Sequence, residues 1–456
     1  MIRIFSGVSA IALLSVTASS AFAQDLMFPK GEGAFNWDSL QSFADANDLS
    51  GQQVTVFGPW LGPDQAAIEA VLAYFADATG ADVRYTGSDS FEQQVVIDAE
   101  AGSSANVAVF PQPGLAADMA KRGFLTPLGQ EAADWMAENY AAGQSWVDLG
   151  TYAGTDGADA FYGFPYKADV KSLVWYVPEN FEDAGYEVPT TMEELKALTD
   201  QIVSDGGTPW CIGLGSGGAT GWPATDWVED MMLRTQSPEN YDKWVSNELP
   251  FNSPEVVAAI EEFGYFAKND AYVAGGTGAV ASTDFRDSPK GLFDSPPQCY
   301  LHHQASFIPA FFPDGTVVGE DGDANFFYMP AYADKDLGQP VLGAGTIFAI
   351  TNDNPGAQSL IKFLQTPIAH EIWMAVPGQG FLTPLTTANL DTYENDTRRA
   401  LGEILTSATT FRFDASDLMP GGVGAGTFWT GMVDYVGGEE AQSVADKIQA
   451  SWDALK

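Results

Sequence analysis

The sequence predicts an α/β protein with two domains. Segments with the periodicities of strands and helices alternate near the start of the chain, an order typical of a parallel sheet covered by helices. Of the 456 residues, 45% are hydrophobic and 12% aromatic, so a sizeable core can be buried. A chain of this length exceeds what one core usually holds, and two domains are therefore expected.

The first part of the chain carries the clearest strand and helix patterns. The elements predicted there are a strand at 54–57, a helix capped by Asp64 and ended by Gly80, a strand at 83–85, a helix at 91–101 and a strand at 107–110. Ligands of parallel sheets bind beyond the carboxyl ends of the strands. The loops after Phe57 and Phe110 are therefore the first places to look for a site.

Further elements follow along the rest of the chain. They are a strand at 172–176, a helix begun by the capping box 191–194, a helix with Pro254 at its first position, a strand at 339–350, a helix opened by Asn354 and a helix at 440–455. The pattern contains no internal repeat and no low-complexity linker.

The N-terminus has the features of an export signal. Arg3 precedes a short apolar stretch at 4–16, and Ala21 and Ala23 fit the small-residue rule for cleavage. We therefore expect 1–23 to be a signal peptide. The alternative is a membrane anchor, but the stretch is shorter than the roughly 20 residues that span a bilayer.

The charge excludes two classes of partner. The chain has 61 acidic and 20 basic side chains, a net charge of -41. Such a charge repels nucleic acid and anionic membrane surfaces, so neither is an expected partner. The acidic residues are spread along the chain, and we assign them no ligand role.

The two cysteines, Cys211 and Cys299, are expected to form a disulfide, because export takes the chain to an oxidising compartment. The alternative is a pair of buried free thiols. No spacing of metal ligands stands out, and the acidic stretch at 314–323 lacks the pattern of an EF-hand. We expect no metal and no cofactor.

Several motifs occur in one consistent order along nearly the whole chain. They are the strand–helix run at 54–125, Tyr-Gly-Phe-Pro at 162–165 leading to Leu-Val-Trp-Tyr at 173–176, Pro-Thr-Thr-Met-Glu-Glu-Leu at 189–195, Pro-Val-Leu-Gly-Ala-Gly at 340–345 and Gly-Thr-Phe-Trp at 426–429. Together they resemble the extracytoplasmic solute-binding proteins of carbohydrate ABC transporters, the maltose-binding-protein-like family. Phe-Arg-Phe-Asp at 411–414 and Cys-Tyr-Leu-His-His at 299–303 resemble its α-glucoside-binding branch.

The resemblance implies a two-lobed periplasmic-binding-protein fold. Each lobe would hold a central, mainly parallel sheet flanked by helices, and crossing segments near Pro165, Pro340 and Tyr393 would act as a hinge. Lobe 1 would comprise 24–165 plus 341–395, and lobe 2 would comprise 166–340 plus 396–456. The protein would be a monomeric, non-enzymatic periplasmic component of an ABC importer, and it would close around an α-glucoside or oligosaccharide and deliver it to the membrane permease subunits.

A sugar presents apolar C–H faces and a ring of hydroxyls, so its site needs aromatic platforms and planar polar groups. Trp60, Trp222 and Trp429 lie among Gly and Pro residues, where packing alone needs an indole least. The alternative for each is a core or domain-interface tryptophan. Three further candidates are Gly62, in the loop that holds Trp60, Gly343, in the strand that returns to the first lobe, and Phe307, which follows His302 and His303.

The polar candidates are side chains that can bind hydroxyls: Gln94, Gln112, Lys167, Asp169, Asp226, His303 and Arg412. Lys167 and Asp169 share one face if the segment is extended, and the lysine would keep the carboxylate ionised. Each has a structural alternative. Gln94 fits a solvated helix face equally well, Asp169 fits a surface ion pair, and Arg412 fits an ion pair with one of many carboxylates.

Two other functions remain open from the sequence. A secreted glycoside hydrolase needs two carboxylates beside the bond, and with 61 acidic residues such a pair near a pocket is expected by chance. A binding protein for a non-sugar solute, such as a polyamine or a peptide, would also suit the acidic composition. The loops that combine aromatic and amide side chains favour a neutral polyol.

Overall fold

The computed structural model describes residues 26–141, 143–338, 340–407 and 410–455. The predicted signal peptide, 1–23, lies outside these residues. Within them, no helix is both long and apolar enough to cross a membrane.

Helices make up much of the described chain. In chain order they are α1 (Trp37–Ala46), α2 (Pro63–Thr79), α3 (Phe91–Ala101), α4 (Pro113–Lys121), α5 (Gln130–Asn139), α6 (Gly143–Leu149), α7 (Pro178–Ala184), α8 (Met192–Ser204), α9 (Trp222–Thr235), α10 (Pro238–Val245), α11 (Pro254–Ala267), α12 (Thr277–Val280), α13 (Pro355–Leu364), α14 (Pro367–Ala375), α15 (Asp396–Ser407), α16 (Ala415–Leu418), α17 (Trp429–Val436) and α18 (Ala441–Asp453). The strands are β1 (Gln53–Gly58), β2 (Asp82–Gly87), β3 (Val107–Phe110), β4 (Thr151–Ala153), β5 (Asp159–Phe161), β6 (Gly163–Val170), β7 (Leu173–Tyr176), β8 (His302–His303), β9 (Asn325–Tyr328), β10 (Pro340–Ile350) and β11 (Thr410–Phe413).

The larger sheet defines the first lobe. Its strand order is β11-β10-β3-β1-β2, with β6 also paired to β10. The β1–β2, β1–β3 and β10–β11 pairs are parallel, and β10 runs antiparallel to β3 and β6. Apolar side chains of α2, α13 and α14 share one core, and those of α3 and α4 share another. The predicted α/β class is confirmed.

The elements predicted near the start of the chain are confirmed, with one correction. Helix α2 begins at Pro63 with Gly62 as its N-cap, so Asp64 is not the cap. Proline is favoured at the first helical position because its fixed φ suits the helix and no N–H is wasted there. Asp64 therefore lies inside the first turn. Gly80 ends the helix in the left-handed conformation, φ 75°, as expected.

The second lobe is built around a smaller sheet and a separate core. The order β8-β7-β9 is antiparallel throughout, although a mainly parallel sheet was expected. Single parallel bridges join Trp210 to Val273 and to Leu301. Strand direction depends on which distant segment becomes the partner, and the residues of a strand do not specify this. Side chains of α8, α9, α11, α17 and α18 fill the core around this sheet.

The chain passes between the two sheets over short distances. Strand β6 belongs to the larger sheet and β7 to the smaller one, and only Lys171 and Ser172 separate them. Strand β11 pairs with the first residues of β10, Pro340 to Gly343, so these two segments run side by side where they reach the second lobe.

The predicted disulfide between Cys211 and Cys299 is confirmed, with a Cα–Cα distance of 5.5 Å. The bond lies in the second lobe, where the Cys211 N–H also donates to the Leu301 carbonyl at 2.8 Å. It therefore joins two segments that are 88 residues apart in the sequence.

Candidate ligand-binding site

A cavity lies between the two lobes and takes its walls from both. It encloses about 950 Å³, including open space at its mouth. From the first lobe come the loop after β1 and the N-terminus of α2, and from the second come the start of α9 and the loop around Phe285. A concave cavity walled by two domains is a common place for a small-molecule site.

The cavity has aromatic walls from both lobes. Trp60, Trp222 and Trp429 all line it, together with Phe285 and Phe307. The Trp222 ring packs edge-on against Phe285, with centroids 4.9 Å apart, and lies 6.0 Å from Phe307. Such contacts hold a ring in place and leave a face available for a C–H surface.

Trp60 and Trp429 are held more tightly than Trp222. Trp60 is 7% exposed and packs edge-on against Trp373 at 4.9 Å. Trp429 is 3% exposed, and its Nε1–H has no hydrogen-bond partner among the described residues. Because a buried indole N–H normally finds an acceptor, this unpaired donor is an exception among the residues that line the cavity.

Lys167 and Asp169 form a buried pair on β6, as their spacing predicted. Lys167 Nζ donates to both carboxylate oxygens of Asp169, at 2.8 and 2.9 Å. The ammonium also lies 5.3 Å from the centre of the Phe307 ring. The side chains of the pair are 4% and 7% exposed, so the alternative of a surface ion pair does not apply.

Lys171 is the centre of a larger carboxylate cluster. Its Nζ donates to Asp226 at 2.8 Å and also to Asp414. Burial, reinforced by Asp414, raises the pKa of Asp226, Glu229 and Asp417 well above the usual range. Burial acts against the charge of Asp414 too, but Lys171 and a hydrogen bond from Glu229 lower its pKa overall.

Three of these carboxylates lie close enough together to bind one metal ion. Oxygens of Asp226, Glu229 and Asp414 lie within 4.8 Å of one another. However, the Lys171 ammonium already donates to Asp226 and Asp414. A metal ion at the same place would meet that positive charge, so the arrangement supports an internal ion-pair cluster.

Another group of polar side chains lines the wall nearest α2 and α3. Burial raises the pKa of Asp64 to about 6 and that of Glu92 to about 7. Gln112 Nε2 donates to Glu92 Oε1 at 3.1 Å. Among the described residues, Asp64 Oδ1 and Gln112 Oε1 have no hydrogen-bond partner. The wall of the cavity therefore contains two acceptor oxygens whose hydrogen-bonding capacity is unused.

The lobes also touch directly at the rim of the cavity. The Gly218 N–H donates to the Asp89 carbonyl at 3.1 Å, and Gln93 Nε2 donates to the Gly218 carbonyl at 3.3 Å. Gly217 allows this approach, because a Cβ there would lie 2.4 Å from Asp89 Oδ2. The described state is therefore one in which the lobes meet over the cavity.

Eight of the residues predicted for the site line this one cavity: Trp60, Gln112, Lys167, Asp169, Trp222, Asp226, Phe307 and Trp429. Gly62 and Gly343 are next to lining residues but are not part of the lining themselves. Gly62 precedes α2, and Gly343 pairs with Val170 and Phe413 within the sheet.

The other three predicted residues lie away from the cavity. Gln94 is exposed and donates to Asp98 at 2.6 Å, because the phase of α3 turns Phe91, Glu92 and Val95 inward instead. The remaining two form structural contacts. His303 packs on Trp227 and bonds Asp230, and Arg412 forms an ion pair with Asp242 at 2.6 Å.

The sequence analysis missed part of the lining. It interpreted Asp64 as a helix cap, and it gave no role to Glu92, Asp414, Asp417 or Arg286, all of which line the cavity. The position of Asp64, just after the loop that follows the first strand, was the available signal. Glu92, Asp414 and Asp417 are three of 61 acidic residues, and that number gave no basis for selecting them. No local pattern marked Arg286.

Comparison with known proteins agrees with this geometry. Residues 58–371 match the family of bacterial extracellular solute-binding proteins. The chain is 64% identical over 455 residues to the alpha-glucosides-binding periplasmic protein AglE of Rhizobium meliloti, covering 99% of this chain and 98% of that protein. It is 44% identical to the osmoprotective compounds-binding protein GgtB of Synechocystis sp., covering 89% and 93%.

Solved structures share the fold at low identity. The solute receptor AcbH superposes with a TM-score of 0.74 at 18% identity, covering 89% of this chain and all of that one. Maltose-bound MalE3 of T. maritima superposes with a TM-score of 0.66 at 14% identity, with the same coverage. The two-lobed architecture is thereby confirmed. The chain belongs to the bacterial extracellular solute-binding protein family, whose members bind solutes for ABC transporters and are not enzymes.

Proposed function

We propose that this protein captures an α-glucoside in the cavity between its lobes and delivers it to the permease subunits of an ABC importer. The observation that carries the proposal is the combination of three tryptophans from both lobes, Trp60, Trp222 and Trp429, with unpaired acceptor oxygens in one cavity. That combination matches the two surfaces of a pyranose, its C–H faces and its hydroxyls.

The relatives support the same class of ligand. AglE is named for binding α-glucosides, and GgtB for binding osmoprotective compounds. The higher identity to AglE favours an α-glucoside over other polyols.

The lining residues have distinct proposed roles. Trp222 provides a stacking face, and Asp169, kept in place by Lys167, accepts hydroxyl hydrogens. Gln112 offers its free Oε1, and Trp429 offers its free Nε1–H. Asp226 offers Oδ2, which has no partner in the described chain, while Lys171 holds its other oxygen.

Hinge closure is the proposed mechanism. The proposed lobes are 24–165 plus 341–395 and 166–340 plus 396–456. The segments that join them include the link between β6 and β7 and strand β11, which pairs with β10. A ligand can contact both lobes at once only when the lobes are closed. It therefore binds the closed state more tightly than the open state, and this difference in affinity shifts the equilibrium toward closure. The rim hydrogen bonds between Gly218 and the Asp89–Gln93 segment then contribute to that state.

The remaining parts of the proposal concern setting and assembly. The protein is exported to the periplasm through cleavage after Ala23, acts as a monomer, and needs neither metal nor cofactor. The family is extracellular, which fits export.

Isothermal titration calorimetry with maltose, trehalose, sucrose and unrelated solutes tests the function. We expect saturable binding of at least one α-glucoside, with a decrease in the radius of gyration measured by X-ray scattering. The proposal would be contradicted if none of the sugars bound, or if a peptide or a polyamine bound more tightly than the sugars. Incubation of the same sugars with the protein should release no hydrolysis product.

A further inference from the structure

The carboxylate of Asp64 has an unusual position in the cavity wall. It is 8% exposed, and within the described chain Oδ1 has no hydrogen-bond partner. The first turn of α2 favours a negative charge through the helix dipole, but no N–H of that turn donates to Asp64 Oδ1. A buried carboxylate without a partner is costly, so its presence in a ligand cavity indicates that the ligand provides the partner.

The cations nearest to Asp64 already have carboxylate partners. Lys167 and Arg286 lower its pKa, so both act on it electrostatically, while Asp169 raises it. Lys167, however, is bound by both oxygens of Asp169 at 2.8 and 2.9 Å, and Arg286 is bound to Asp284 at 3.2 Å. Both cations are therefore engaged with another carboxylate, and neither donates a hydrogen bond to Asp64 Oδ1.

The other unpaired groups of the cavity are mostly acceptors as well. Gln112 Oε1 and Asp226 Oδ2 have no partner in the part of the chain that the structure describes. The same holds for Trp429 Nε1, which is a donor, and for the Thr346 hydroxyl, which can donate or accept. A hydroxyl donates one hydrogen bond, an ammonium donates three with a full charge, and a carboxylate or phosphate donates none. The wall therefore favours ligands in the order ammonium, hydroxyl, anion.

We propose that Asp64 makes the cavity selective for charge, so that it binds an amino-substituted glycoside more tightly than the neutral parent sugar and excludes anionic sugars of the same shape. This inference rests on the proposed function, because it concerns the class of glycoside bound in the same cavity.

The preference should depend on pH in a defined direction. Burial raises the pKa of Asp64 to about 6, Asp169 adds to this, and Lys167 and Arg286 oppose it. Below that pH the carboxyl group is neutral and interacts weakly with an ammonium. The preference for the amine should therefore increase as the pH rises through about 6. It should fall again above roughly pH 8, because an amine beside electron-withdrawing oxygens has a pKa close to that of an α-amino group, about 7.7–8.0.

Calorimetry with matched sugars tests the proposal. The probes are maltose, trehalose and sucrose, their derivatives with one hydroxyl at a time replaced by an amine, and derivatives with a primary alcohol oxidised to a carboxylate. At about pH 7, where Asp64 is ionised and the amine is protonated, we expect at least one amine to bind about tenfold more tightly than its parent, and every carboxylate to bind at least about tenfold more weakly.

Asp64→Asn identifies the residue responsible. This variant keeps the shape of the side chain and should abolish the gain from the amine, whereas Asp45→Asn, on the exposed face of α1, should preserve it. The proposal is overturned if no amine binds more tightly than its parent, if a carboxylate binds as well as the parent, or if the gain survives in Asp64→Asn. Binding of the amines without the neutral sugars would overturn only the proposed function, and binding of none would overturn both.

Discussion

Lys171 Nζ donates a 2.8 Å hydrogen bond to Asp226 Oδ1 and thereby ties the crossing segment between β6 and β7 to helix α9. The same ammonium donates to Asp414, which follows β11. It also lies 5.5 Å from the centre of the Trp222 ring. One buried cation therefore connects two crossing segments with an aromatic wall of the cavity.

Replacing Lys171 should destabilise the protein. In Lys171→Met the carboxylates of Asp226 and Asp414 lose a shared cation in a buried place, which typically costs about 3–5 kcal/mol when one partner of a buried pair is removed. Chemical denaturation of Lys171→Met measures this. Lys290→Met, which removes an exposed pair with Asp287, should cost less than about 1 kcal/mol. Equal stability of the two variants would contradict the structural role.

Two glutamines separated by one strand provide a matched test of the site. Gln112 lines the cavity with a free Oε1, whereas Gln94 lies on the exposed face of α3. Gln112→Ala should raise the dissociation constant for the bound sugar about tenfold, the effect of losing one ligand hydrogen bond. Gln94→Ala should leave it unchanged in the same titration. A loss of affinity in Gln94→Ala would place the ligand elsewhere.

The raised pKa of Asp64 predicts how stability depends on pH. Its ordinary value is 3.8, and burial raises it to about 6 in the folded protein, so between these values the folded state binds more protons than the unfolded state. Asp64 therefore lowers stability as the pH rises through this range, by up to about 3 kcal/mol above pH 6. Without bound sugar, Asp64→Asn should be more stable than the parent at about pH 8.

The pH dependence of the stability difference separates titration of Asp64 from a pH-independent effect of the substitution. The advantage of Asp64→Asn should shrink as the pH falls from about 6 to about 4, and Asp45→Asn should show no such trend. Only the difference between parent and variant is informative, because the pKa of His370 is lowered by burial to about 3 and gives the opposite slope. A difference that is constant with pH would rule out titration of Asp64.

The disulfide should contribute strongly to stability. Closing a loop across 88 residues corresponds to about 4–5 kcal/mol in the chain-entropy model. Urea denaturation of Cys211→Ser with Cys299→Ser should show this loss relative to the parent. The double variant should be insensitive to reductant, whereas the parent should lose stability on reduction. Equal stability of the oxidised parent and the double variant would mean that the disulfide does not constrain the unfolded chain.

Local patterns predicted the elements well, since they depend on nearby residues. Strand β3 and helix α3 match their predicted ranges, because an apolar run and a helical stripe are visible within a few residues. The loop position of the three tryptophans likewise identified side chains that line one cavity.

Side-chain direction and long-range pairing were the parts that could not be predicted. Arg412 meets Asp242, 170 residues away, and no local signal specifies that contact. Gln94 and Glu92 differ by two positions on one helix, yet only Glu92 faces the cavity. The side-chain direction of Asp64 was equally unpredictable. In the sequence, an aspartate at this position is compatible both with a helix cap and with the wall of a ligand site.

A crystal structure of the protein with its tightest-binding α-glucoside tests the central claim most directly. The account predicts one pyranose ring against Trp222, within reach of Trp429 Nε1 and Gln112 Oε1, enclosed by both lobes. A sugar bound outside this cavity, or one held by a single lobe with the three tryptophans free of contact, would contradict it.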